Sequence, residues 1–302
     1  YDCTSDRLLE ERLSSRGFKL IGAKYVSDER SPAFYLASNA ARETILCIRG
    51  TFSGNDVITD LVAAGAPWEG GYAHAGMARA AAYLIERFGD FLLSAAEQDH
   101  GVVTVCGHSL GAGVAALVTH SLSSTSSLSS RQAEDGAWGA GKKGRIRCLC
   151  YEPPACMSAP LAASITDSTY STVNRDDLVP RLGPTPIVNL LHNLQDFDWR
   201  QAAEKDEDPF IRRITLLLAG NDGERSGEAR KRCQLEPNED WHYDPVVPGK
   251  VFFITPGSAP VRIDAFSEVL RSLRLTRTSV QDHFVDTEEF MTSLGVAQWE
   301  IS

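Results

Sequence analysis

A serine, an aspartate and a histidine can together make a nucleophile of an ordinary hydroxyl, and this sequence offers each in a place where that chemistry can be done. The serine is Ser109, in Val103-Thr-Val-Cys-Gly-His-Ser-Leu-Gly-Ala-Gly113. A short apolar run precedes it, an alanine-rich helical pattern follows it, and Gly107 and Gly111 stand two residues before and after it. That spacing predicts a nucleophile elbow, a turn so tight that a side chain at either glycine would collide with the neighbouring strand or helix. The strained turn holds the serine Oγ clear of the sheet edge at the positive end of the following helix, where it can reach an acyl carbon.

A serine hydroxyl is a weak nucleophile at neutral pH, so the elbow requires a histidine base and an orienting carboxylate, in chain order Ser, Asp, His. Asp176 and Asp177 follow an apolar run in STVNRDDLVPRL, and Pro180 ends that run; either can be the acid. Of seven histidines, His192, His242 and His283 follow these aspartates. His192 sits in an apolar helical pattern and reads as packing, and His242 lies between Trp241 and Tyr243 in a long irregular stretch. His283, in SVQDHFVD, follows the final strand pattern and precedes the final helical one, where this topology places its base. The oxyanion of an acyl-transfer intermediate needs two N–H donors. Leu110, next to the nucleophile, supplies one; the turn Ile48-Arg-Gly-Thr51 can supply the other from Thr51, although an ordinary strand-end turn would read the same way.

The elements that must position these residues are legible as an alternation. β-branched runs at 33–37, 44–48, 102–106, 145–151, 168–173 and 251–254 are separated by helical patterns, the best being Met77, Ala81, Leu84, Ile85, Phe88, Phe91, Leu92 and Ala95, then 111–122, with a last at 286–294. Strands alternating with helices predict βαβ units around a mostly parallel sheet, an α/β fold. The Ser-rich stretch 121–143 is expected to be a mobile surface loop. Residues 189–248 read as a helical and loop insertion before the last strand, and the 302 residues as a single catalytic domain.

A net charge of −10 argues against a nucleic-acid surface, and the basic clusters at Lys142-Lys143-Gly-Arg145 and Arg230-Lys-Arg-Cys233 are short and polar-flanked. No run approaches the roughly 18 apolar residues of a spanning helix. The chain opens on Tyr1 with no charged-then-apolar leader, so it is expected to be processed or cut from a longer protein. Seven cysteines with no C-x-x-C pair, four of them within apolar runs, read as free core thiols of a reducing compartment. An intracellular location, cytoplasmic or peripheral to a membrane, is the expectation.

Taken together and in order, IRGTFSGNDVITDL at 48–61, HAGMARAA at 74–81, GHSLGAG at 107–113, YEPP at 151–154, NRDDLVPRL at 174–182 and QDHF at 281–284 resemble the class 3 lipases of the α/β-hydrolase fold, and within them the catalytic domain of sn-1-specific diacylglycerol lipases. The resemblance spans about residues 45–290. It implies Ser109 as nucleophile, Asp177 as orienting acid, His283 as base, and Thr51 and Leu110 as oxyanion donors. It also implies that Asp60 is a cap or hinge, and that residues 52–72 form a lid in which Phe52 and Trp68 touch substrate and Gly70-Gly71 hinge. Trp68 reads equally as a core anchor and the glycines as a plain turn. Two departures stand out: the membrane-bound members carry transmembrane helices ahead of this domain, and the secreted fungal members use disulfides. The expected activity is hydrolysis of a fatty-acyl ester of a mono- or diacylglycerol at a membrane or lipid-droplet surface, with no metal or cofactor. The alternatives are a phospholipase A1 or small-ester carboxylesterase, and an inert lipase-like scaffold.

Overall fold

Eight strands share one sheet, and its middle is built from the most apolar runs of the chain. The computed structural model describes residues 5–28, 31–50, 65–124, 145–183, 185–187, 189–190, 244–255, 258–273, 278–279 and 282–283. In chain order these residues form α1 (Asp6–Ser14), β1 (Phe18–Lys24), β2 (Phe34–Asn39), β3 (Glu43–Ile48), β4 (Gly65–Trp68), β5 (Gly71–His74), α2 (Ala75–Glu97), β6 (Val102–His108) and α3 (Leu110–Ser124). They continue through β7 (Arg145–Tyr151), α4 (Ala159–Ser164), β8 (Thr169–Asn174), a 3-10 turn at Val179–Arg181, β9 (Lys250–Ile254), β10 (Val261–Ile263) and α5 (Glu268–Arg271).

The sheet order is β1-β2-β3-β6-β7-β8-β9-β10. β3, β6, β7, β8 and β9 run parallel, while β1, β2 and β10 add antiparallel edges. Parallel strands need crossovers of a dozen residues or more, and a sheet with both faces covered is the result. α2 and α3 cover one face. Leu84 and Leu92 from α2, Leu117 and Val118 from α3, and Leu46, Val103 and Val105 from the strands form the main core. The opposite face carries α1: along β2, Phe34 and Leu36 point to the main core while Tyr35 and Ala37 meet Leu9 and Leu13 of α1. Each fully buried Leu or Val contributes about 1.5–3 kcal/mol of transfer free energy, which is why these strands are mostly apolar toward that core.

All six predicted strands are present, and the helices at 75–97 and 110–124 contain the predicted ones. The Ser-rich loop was expected to begin at Ser121, but α3 runs on to Ser124. Leu122 is buried, Ser124 Oγ donates to the His120 carbonyl at 2.9 Å, and Ser121 Oγ donates to Glu69 across the hairpin. Local serine-to-backbone bonds of this kind let a polar turn finish a helix. The remainder of that loop, most of the 189–248 insertion and the helical pattern at 286–294 lie outside the described residues. The described end of the insertion returns to the body: Val246 N–H donates to the Met157 carbonyl at 2.9 Å, and Ser171 Oγ donates to the Pro248 carbonyl at 2.6 Å.

The sequence pattern missed α1, β1, β10 and the β4–β5 hairpin. β1 lacks clean alternation because the register shifts between Leu20 and Gly22, and a three-residue edge strand such as β10 has no period to read. The hairpin occupies part of the stretch expected to be a lid. Trp68-Glu-Gly-Gly71 closes it, with Glu69 at φ +33° and Gly70 at φ +90°, so Gly70 serves a turn. A Cβ on Gly71 would lie 2.6 Å from Ser158 Oγ, so this glycine permits close packing. The hairpin is fastened near its turn, by Ser158 N–H to the Tyr72 carbonyl at 2.8 Å and by His120 Nδ1 to Glu69 at 3.2 Å.

Candidate active site

β6 ends at His108 and α3 begins at Leu110, so one residue makes the turn. Ser109 adopts φ +57°, a left-handed conformation that costs a non-glycine residue on the order of 1 kcal/mol or more and that the surroundings must enforce. They do so by backbone approach. A Cβ on Gly107 would sit 2.4 Å from the Gly111 carbonyl carbon, one on Gly111 would sit 2.4 Å from the Ile48 carbonyl oxygen, and one on Gly50 would sit 2.5 Å from the His108 carbonyl oxygen. β3, β6 and α3 thus meet with no room for a side chain. The Ser109 N–H donates to the Tyr151 carbonyl at 2.9 Å, tying the elbow to the end of β7.

The structure brings Ser109, His283 and Asp177 into one chain of hydrogen bonds. Ser109 Oγ lies 2.8 Å from His283 Nε2, and His283 Nδ1 lies 3.0 Å from Asp177 Oδ2. With Nδ1–H donating to the carboxylate, Nε2 is the acceptor for the serine proton. All three are buried, with exposures of 1%, 3% and 0% respectively. The other oxygen of Asp177 accepts from the Val179 N–H at 2.9 Å, which fixes the carboxylate. Asp176, left as an alternative by the sequence, is half-buried, and its N–H faces Asp282 Oδ2 at 3.3 Å.

Behind these three stand residues that the sequence reading left without a role. His108 packs on His283 with ring centroids 4.8 Å apart. Burial first, and the neighbouring His283 second, push its pKa down to about 4, so its neutral ring donates Nε2–H to the His283 carbonyl at 3.0 Å. Arg181, from the LVPR sequence, is 1% exposed and donates to the carbonyls of Val269, Arg175 and Asp177. Glu152, in YEPP, is 0% exposed at φ +50°. An acid placed directly after a buried strand was the available signal for it.

Leu110 opens α3, and an N–H in the first helical turn has no intrahelical acceptor, so it is free to meet an oxyanion. Thr51, Phe52 and Asp60 lie outside the described residues, as do His192 and His242. Trp68 is half-buried and packs against the main core. Among the described residues no three His, Cys, Asp or Glu side chains are arranged to hold a metal ion, and no helix is long and apolar enough to cross a membrane. The described cysteines, Cys47, Cys106, Cys148, Cys150 and Cys156, form no disulfide; Cys3 and Cys233 lie outside the described residues.

A nucleophile elbow at the C-terminal edge of parallel strands, with helices on both faces, is the architecture of an α/β-hydrolase. Solved lipase structures share it. A fungal lipase superposes with a TM-score of 0.57 at 17% identity, covering 97% of this chain and 87% of that one. The Rhizomucor miehei lipase propeptide complex gives 0.53 at 16%, covering 89% and 68%. Residues 45–186, from β3 past the acid turn, match the family model for class 3 lipases. Mouse diacylglycerol lipase-beta is 31% identical over 170 residues, 53% of this chain and 23% of that protein. Human diacylglycerol lipase-alpha is 26% identical over 191 residues, 58% and 17%. The chain therefore matches about a quarter or less of the length of these curated relatives.

Proposed function

We propose that the protein is a serine lipase that hydrolyses a fatty-acyl ester of a mono- or diacylglycerol through an acyl-enzyme. The observation that carries this reading is the hydrogen-bonded chain from Ser109 through His283 to Asp177, set on a strained elbow. Ser109 Oγ attacks the acyl carbon while His283 Nε2 takes its proton. The negative charge on the former carbonyl oxygen meets the Leu110 N–H and, in this reading, that of Thr51. Collapse breaks the ester C–O bond, and His283 returns the proton to the leaving glycerol oxygen. Water, deprotonated by the same nitrogen, then releases the fatty acid. Asp177 holds the imidazole in the required tautomer throughout.

The acylglycerol substrate is drawn from the matched diacylglycerol lipases, and an acidic chain suits a neutral lipid better than an anionic one. We place the reaction inside the cell, at a membrane or lipid-droplet surface as a transient interface. The test is hydrolysis of emulsified diacylglycerol by wild type and Ser109→Ala, with phosphatidylcholine and p-nitrophenyl butyrate alongside. The expected result is turnover of the diacylglycerol that falls to background in the variant, a loss of about 10³-fold or more. Cleavage of phosphatidylcholine in preference to diacylglycerol would make it a phospholipase, and cleavage of the soluble ester alone a carboxylesterase. Equal rates for both proteins would leave the fold as an inert scaffold.

A further inference from the structure

Among the described residues the triad leaves two buried acids unused, Asp282 and the more deeply buried Glu152. Glu152 follows β7 directly, between the strand that ends in the nucleophile and the strand that leads to Asp177. Its backbone is strained at φ +50° and its N–H donates to the Thr172 carbonyl at 3.0 Å, so its side chain is held over the end of β8. There Oε2 accepts the Asn174 N–H at 2.8 Å. Asn174 opens the turn that carries the acid: its carbonyl accepts the Asp177 N–H at 2.9 Å, with Arg175 at φ +43° between them. The other oxygen, Oε1, is fully buried and meets no donor among the described residues. The Glu152 carboxyl lies within hydrogen-bonding range of that of Asp177. Two ionised carboxylates are both acceptors and repel at that range; one proton between them converts the contact into a hydrogen bond.

Three elements supply the charges around this pair. Arg181, on the turn after Asp177, brings one buried positive charge, and its guanidinium is spread over three backbone carbonyls. His283 binds Asp177 from the far side, and Asp282 beside it pairs with Arg175 at 3.9 Å. Burial above all, then the negative charge of Asp177 and the hydrogen bond between the two acids, hold the Glu152 carboxyl well above its ordinary range; the Asn174 N–H and Arg181 pull the other way and are outweighed.

We propose that Glu152 is a positioning residue for the triad: a neutral carboxylic acid that donates its O–H to Asp177, fixes that carboxylate toward His283 and tempers the basicity it confers on the imidazole. This rests on Ser109, His283 and Asp177 acting as proposed above. Removing a donor from Asp177 concentrates its charge on His283 and favours the imidazolium, so the acid limb of the activity profile moves to higher pH.

The experiment pairs pH–rate profiles of p-nitrophenyl butyrate hydrolysis for wild type, Glu152→Gln and Glu152→Leu with infrared spectra of the resting proteins. Glutamine keeps a neutral donor for Asp177 and an acceptor for Asn174, so its rate stays within about threefold of wild type and its acid limb does not move. Leucine keeps neither: its acid limb rises by about half a pH unit or more, and kcat falls on the order of tenfold with KM little changed. At neutral pH the wild type shows the carbonyl stretch of a protonated carboxylic acid, absent in Glu152→Gln. A Glu152→Gln profile shifted to lower pH would mean that Glu152 is ionised. A Glu152→Leu enzyme with the wild-type limb would make the residue merely structural. The infrared band needs no turnover: an active enzyme without it overturns this proposal alone, whereas a protein with the band and no activity overturns the hydrolase reading on which it rests.

Discussion

Asp176 and Asp177 are chain neighbours with opposite fates. Asp177 is fully buried against His283, and Asp176 is half-buried on the turn. An amide at 177 would keep the shape but can donate its NH₂ to Nδ1, leaving the proton on Nε2, where it cannot accept from Ser109. Asp177→Asn is therefore expected to lower kcat by about 10³–10⁴ with the fold intact. Asp176→Asn should change it by less than about threefold, since removing a charge from a solvated position alters little. Hydrolysis rates of the two variants, read beside circular dichroism, check the contrast. Residue types and spacing were enough to find the serine and the histidine, because an elbow has a five-residue signature and the candidate bases were few. They left two acids open, because burial decides between adjacent aspartates and burial is a tertiary property. Glu152 offered only its place directly after a buried strand, and His108 no local signature, because each meets partners distant in sequence.

At the scale of elements, the elbow is a three-way crossing of β3, β6 and α3 that depends on missing side chains. At Gly111 a methyl would meet the Ile48 carbonyl oxygen at 2.4 Å and the Arg49 carbonyl carbon at 2.8 Å, both backbone atoms that cannot rotate away. Gly111→Ala is expected to destabilise by about 1–3 kcal/mol and to move Ser109 off His283. Thermal melts and hydrolysis should both fall. A variant with wild-type activity would show that β3 and α3 do not close on the turn. Gly70→Ala tests a different role, since φ +90° at the hairpin tip is strained for alanine while nothing lies within 4 Å of the added methyl. The strands of the parallel centre were legible from their apolar runs, and α2 from its spacing. The hairpin was not, because its glycines read equally as a hinge, and its attachment to α3 through Glu69, His120 and Ser121 joins residues about fifty positions apart.

For the whole molecule, two buried groups tie stability to pH with opposite signs. His108 is held neutral, its pKa lowered from 6.5 to about 4. Its contribution is present above 6.5 and is lost as the pH falls toward 4, on the order of 3 kcal/mol at full extent. Glu152 is also held neutral, but as an acid its pKa is raised above 4.5. Its contribution is complete below 4.5 and is lost as the pH rises toward the folded value. Melting temperature should therefore fall on both sides. Glu152→Gln should gain on wild type as the pH rises from about 5 to 8, because glutamine needs no proton to fold. His108→Asn should flatten the acid side, judged by the slope with pH and not by the absolute melting point. A constant Glu152→Gln difference across this range would contradict the neutral acid. Neither dependence was visible in the sequence, since composition fixes how many groups titrate but not which of them lose water.

The central claim is that Ser109 is activated by His283 and Asp177, and covalent labelling tests it most directly. Wild type, Ser109→Ala and His283→Ala are each treated with a fluorophosphonate, and the adduct is counted by intact mass and located by peptide mapping. The account predicts one adduct per wild-type chain, on Ser109, none on Ser109→Ala and slow or no labelling of His283→Ala. A wild-type chain that stays unlabelled while folded, or labelling that survives Ser109→Ala unchanged, would contradict it.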